Sequence, residues 1–155
     1  MRLVLTVTRI ITELERIGDE VKKIASYGSR LISKNGAFPN QLHDLNRLAQ
    51  RSLSMIHTAL DAFARLDATV VVQLNKEYDL LDHEYDNLLR QQITYMMEDP
   101  RTISTSLDIL FMFKAIERIG DHALNVSEHV VYLAQGIDIR HSPMEEVKKV
   151  SGVDE

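Results

Sequence analysis

No cysteine occurs in the 155 residues, so disulfides, thiolate chemistry and cysteine-held zinc are excluded at the outset. Proline and glycine are scarce, at three and six, and these are the residues that most often break helices. Long uninterrupted helices therefore have room to form. Positive charge is in deficit, with 18 Lys and Arg against 23 Asp and Glu and a net charge of −5. A nucleic-acid binder that follows phosphates needs a clustered basic face; Lys22 with Lys23 and Lys148 with Lys149 are only isolated pairs. Long hydrophobic runs are missing too. The most apolar stretch, residues 109–116, is interrupted by Lys114 and is far too short to span a bilayer. No leader pattern opens the chain, because amphipathic spacing begins at Met1. A single cytoplasmic, soluble domain is the expectation, long enough to bury a real core.

What the chain does have is a duplication. Glu15-Arg16-Ile17-Gly18-Asp19 returns as Glu117-Arg118-Ile119-Gly120-Asp121, a constant 102 residues later. The flanks follow suit: Leu14 matches Ile116, Val21 matches Ala123, Ile24 matches Val126 and Leu31 matches Leu133. Keeping the chemical type at the core positions marks an internal repeat of about a hundred residues.

Hydrophobic spacing sets out four long helices. Leu3, Val7, Ile10, Leu14, Ile17, Val21, Ile24 and Leu31 step by fours and threes, with Gly28 in the remaining slot, and predict a helix over 1–32. Residues 33–36 and Pro39 read as its stop. Asn40 is the expected cap of a second helix that buries Leu45, Ala49, Ile56, Leu60 and Phe63. Residues 66–68 read as a turn. A third helix uses Val71, Leu74, Tyr78, Leu81, Tyr85, Leu88 and Tyr95, broken at residues 98–102 around Pro100. The fourth runs from about Ile103 to Gln135 and stops at Gly136. Residues 137–155 are polar, with a weak helical hint at 145–150, and read as a mobile tail. The fold class is all-α, with antiparallel helices each of roughly 40 Å or more at 1.5 Å per residue.

One repeat unit takes about three helices, so the first copy shows only its last. Residues 1–32 are then the closing helix of a first repeat and 40–136 a complete second one. The expectation is an N-terminally shortened form whose first helix exposes apolar surface, which favours dimerisation or swapping.

The repeated turn carries the candidate chemistry. At 100° per residue, Glu15 and Asp19 fall one turn apart, away from the expected seam. Glu117, Asp121 and Asn125 repeat this as a ladder on the far side from Met112, Ile116, Ile119, Ala123, Val126 and Val130. Like charges at that spacing repel by a few tenths of a kcal/mol. Two readings stand side by side: a solvated acidic face with Arg16 and Arg118 as counter-charges, or a ladder of oxygen ligands for a hard or borderline cation. Gly18 and Gly120 each cost about 1 kcal/mol relative to alanine in a helix, which a close helix or an ion cluster would explain. Asp82 is a weaker candidate ligand, and His122 and His129 flank the second copy. No Glu-x-x-His pair, phosphate loop or nucleophile elbow is present.

The chain resembles the PhoU family of bacterial phosphate-signalling accessory proteins. The resemblance rests on the two Glu-x-x-x-Asp turns, the second extended to Asn125, and on TELERIGD (12–19), ALDAFARLD (59–67), TYMMED (94–99) and IERIGD (116–121); it covers the chain to about residue 141. It implies two tandem three-helix bundles, of which this chain keeps the last helix of the first and all of the second. It implies a multinuclear metal site on each copy, holding divalent or trivalent ions such as Fe, Mn, Zn or Mg, carried over here to Glu15, Asp19, Glu117, Asp121 and Asn125. Two departures weaken those sites: Lys23 replaces the amide of the first copy, and Tyr78 stands where the family often has an acid, making the second copy the better expected site. For function it implies a non-enzymatic negative regulator of phosphate uptake and of the phosphate-starvation regulon. Such a protein is a homo-oligomeric adaptor, recruited to the membrane between the ATPase of the phosphate ABC transporter and a sensor histidine kinase. The alternative reading is a metal-dependent helical-bundle enzyme, an oxidase or a phosphohydrolase.

Overall fold

The computed structural model describes residues 1–34 and 39–153, and of Pro39 only the backbone. Five α-helices account for the fold: α1 (Arg2–Ser33), α2 (Pro39–Arg65), α3 (Val70–Glu98), α4 (Ile103–Gln135) and α5 (Met144–Ser151), with a 3-10 turn at Pro100–Thr102 between α3 and α4. Among the described residues there is no strand, and no helix is long and apolar enough to cross a membrane.

The punctuation follows the sequence closely. Leu66 takes a left-handed φ of 55°, and the backbone N–H of Asp67 bonds back to Ala62 O at 2.9 Å, which closes α2. The Asp67 carboxylate then accepts from the backbone N–H of Thr69 at 2.9 Å and from its hydroxyl at 2.6 Å. Asp99 accepts from Arg101 N at 3.1 Å, and Pro100 opens the 3-10 turn. Gly136 ends α4 at φ 78°. The second helix begins at Pro39, one residue ahead of the expected cap at Asn40, since proline suits the first helical turn. The stop expected at residues 33–36 lies partly outside the described residues.

α2, α3 and α4 pack pairwise into a three-helix unit, and among the described residues the backbone of α1 comes close to that of α4 only. α4 is therefore enclosed from three directions, and every member of its expected stripe is buried. Phe113, Ile109, Ile116 and Val126 meet Leu48, Met55 and Ala59 from α2 and Leu74, Leu81 and Leu88 from α3. On α2 the buried line is Leu45, Leu48, Met55, Ala59 and Ala62, while the expected Ala49, Ile56 and Phe63 are only partly buried beside it.

Two expectations need correcting. Residues 137–153 do not form a loose tail: Ile139 and Val147 are 2% and 4% exposed and pack with Ala68, Val71, Val72 and Val131 in a second apolar cluster. Val147, with Met144, Val150 and Val153 partly buried beside it, docks a short helix whose polar content hid it. The burial of α1 is also displaced. Its buried residues are Thr6, Ile10, Glu13, Glu20 and Leu31, while Leu3, Leu14 and Val21 are 56%, 38% and 51% exposed. The face turned to α4 runs through Ile10, Glu13, Ile17, Glu20, Ile24, Tyr27 and Leu31, a three-four spacing one residue off the all-apolar one. The apolar surface expected on the first helix is there, as Val4, Ile11, Leu14, Val21 and Ile32.

Candidate functional site

The two motif helices run antiparallel, and their contacts keep strict register. Arg30 and Lys34 reach Asp108 at 3.2 and 2.6 Å, and the rings of Tyr27 and Phe111 stack at 5.2 Å. Farther along, Arg118 faces Glu20 at 3.8 Å, and Asn125 Nδ2 donates to Glu13 Oε2 at 3.2 Å. In all of these pairs except Lys34 with Asp108, and also in Lys34 with Ser104 at 2.8 Å, the two residue numbers add to 138. With a repeat offset of 102, that register sets Gly18 opposite Gly120. The two copies of the motif thus cross at their own equivalent residues.

A cleft of about 630 Å³ opens at the crossing. Arg16 and Arg118, Asp19 and Asp121, and Glu20 and His122 line it, three repeat-equivalent pairs, together with Lys23. Its charges are mostly paired. His122 Nδ1 lies 2.7 Å from Glu13 Oε2, and since a carboxylate only accepts, that nitrogen carries the hydrogen. Arg16 meets the other Glu13 oxygen at 3.2 Å, and Lys23 holds Glu20 at 2.7 Å. Burial, with Glu117 and Glu13 nearby, pushes the Asp121 carboxyl above its ordinary value, against the pull of His122. On the same helix, burial and the Asp121 charge push Glu128 up to about 7.

The glycines serve different neighbours. A Cβ on Gly120 would sit 2.2 Å from Leu81 Cδ2, so that glycine lets α3 close onto α4; a Cβ on Gly18 would meet nothing within 4 Å.

The five expected ligands are dispersed. Glu15 is exposed. Asp19 sits at the surface in an ion pair with Lys22 at 3.0 Å and shares only the cleft with Asp121. Asn125 is committed to Glu13. Glu117 was expected on an open face, yet it is 3% exposed and turned toward α3, where Tyr78 meets it. Tyr78 donates to its Oε1 at 2.6 Å, and Lys114 Nζ lies 2.6 Å from Oε2. Among the described residues no group of three or more His, Asp or Glu is placed to hold a metal ion. The residues present do not fit the multinuclear site that the resemblance implies.

Glu13, Glu20 and Lys114 were missed by the sequence reading. The first two had a signal: they stand seven apart, three residues after Ile10 and Ile17, which is the spacing of a seam even where the residue is an acid.

The domain model described as PhoU domain matches residues 45–130. This chain belongs to the PhoU family. It is 40% identical over 150 residues to the phosphate-specific transport system accessory protein PhoU of Escherichia coli K12, covering 97% of this chain and 61% of that one. It is 41% identical over 141 residues to the PhoU homolog of Pseudomonas putida, covering 91% of this chain and 55% of the relative. The crystal structure of PhoU from Pseudomonas aeruginosa superposes with a TM-score of 0.82 at 40% identity, over 88% of this chain and 65% of that one. The chain thus spans about six-tenths of the length of the PhoU relatives it matches.

Proposed function

We propose that this PhoU-family chain acts as an accessory regulator of phosphate-specific transport and as a negative regulator of the phosphate-starvation response. The observation that carries the reading is 40% identity, across nearly the whole chain, to an accessory protein of the phosphate-specific transport system. The chemistry of the cleft agrees with a role without turnover. Most of the charges around the cleft are paired, Glu20 with Lys23, Asp19 with Lys22 and His122 with Glu13. In this reading the chain is a cytoplasmic adaptor, self-associating, that contacts the ATPase of the phosphate ABC transporter and the sensor histidine kinase through long helical faces. Metal has no part at Glu117 in this reading, and only a weak one at Glu15 and Asp19, whose carboxylates are the motif acids left open to solvent.

The test is to express the chain in a bacterium deleted for its own PhoU and carrying a phosphate-starvation reporter. Repression of the reporter in phosphate-rich medium is expected. A reporter that stays derepressed while the folded chain accumulates would overturn the reading.

A further inference from the structure

We infer that the ammonium group of Lys114 is the resident cation of the α4 motif, taking the position and charge that a metal ion would otherwise supply. Glu117 is almost completely buried, and burying a charged group is costly unless it is paired. Its oxygens meet different partners, Oε1 in a hydrogen bond and Oε2 in an ion pair without an aligned hydrogen bond. Tyr78, reaching across from α3, donates to Oε1 at 2.6 Å, and Lys114 Nζ approaches Oε2 at 2.6 Å.

Lys114 is itself enclosed on a second side, with Nζ 4.8 Å from the centroid of the Tyr85 ring, where the ring face attracts a cation. Asp82 adds negative charge near both tyrosines and Asp86 near Tyr85. The ammonium thus lies between a carboxylate on α4 and an aromatic face on α3 and is held by both helices, with 40% of its side chain open to solvent. A metal ion entering here would have to displace the Tyr78 hydroxyl from one oxygen and sit against the Lys114 charge at the other. The oxygen-rich setting suits a hard cation; in this chain the cation is covalently attached, one helical turn before the acid it serves.

The experiment uses the full chain and Mn²⁺ as the probe. Binding is measured for the wild type, Glu117→Gln, Lys114→Met and Lys114→Arg by elemental analysis after desalting, with melting temperature in parallel. Wild type and Glu117→Gln should retain the same amount of Mn²⁺. Lys114→Met should melt below wild type, and added Mn²⁺ should raise its melting temperature while leaving that of the wild type in place. Lys114→Arg, which keeps the charge, should melt close to wild type and controls for folding. Mn²⁺ retained by the wild type and lost in Glu117→Gln would overturn the inference, as would Lys114→Met melting with the wild type.

Discussion

At the scale of single residues, the two glycines of the repeated motif make opposite demands and can be tested against each other. Gly120→Ala drives a methyl into Leu81 Cδ2, and overpacking of this kind costs about 1–3 kcal/mol. Gly18→Ala adds its methyl to open space inside a helix, where alanine is favoured over glycine by about 1 kcal/mol. Urea melts of the two variants should therefore move to opposite sides of the wild type. Glu128 gives a pH test. Its carboxyl is raised from 4.5 to about 7, chiefly by burial and then by Asp121. Between those values the folded chain keeps a proton that the unfolded chain has released. Raising the pH through that window accordingly removes stability, and below it both states are protonated and the effect vanishes. Burial lowers His129 from 6.5, which acts in the opposite sense, so the informative quantity is a difference. Glu128→Gln should gain more melting temperature over wild type at pH 8 than at pH 5.

At the scale of elements, α2, α3 and α4 were legible because a helix surrounded by partners buries nearly all its apolar residues, and spacing then states the packing. α1 was not. Its backbone comes close to one helix only, so only one of its two apolar-compatible stripes is used, and the one used contains Glu13 and Glu20. The longer apolar run through Leu14 and Val21 was read as the seam, yet the contact with α4 is decided by polar complementarity with His122, Asn125 and Arg118. The same reasoning explains the ligand ladder. Spacing placed Glu117 and Asp121 one turn apart correctly, but could not say that Tyr78 and Lys114 would satisfy the first while the second turned to the cleft. α5 escaped notice because its docking relies on Val147 and on Ile139 ahead of it. Ile139→Ala, which empties a site 2% exposed, should cost about 2–5 kcal/mol, and a calorimetric melt reads it directly. A residue in a mobile tail would leave the melt unchanged.

At the scale of the whole molecule, the antiparallel crossing turns a sequence repeat into a near two-fold arrangement with a shared cleft, so the two motif copies act on one another before they act on anything else. Only the second copy is wrapped by its own helices here, and the equivalent side of α1 presents Ile11, Leu14 and Val21 to solvent. Among the described residues the backbone of α1 comes close to that of α4 only, which has a consequence for how the protein breathes. Detaching α1 exposes one side of α4 and leaves the contacts among α2, α3 and α4 in place, so opening does not require global unfolding. Amide protons of α1 should then exchange through a sub-global event, while those in the middle of α4 exchange only with the whole chain. Native-state hydrogen exchange at rising denaturant reads this as two isotherms. A single isotherm shared by α1 and α4 would instead mean that the ion pairs and hydrogen bonds between them, through Glu13, Glu20 and Asp108, fuse the two helices into one cooperative unit.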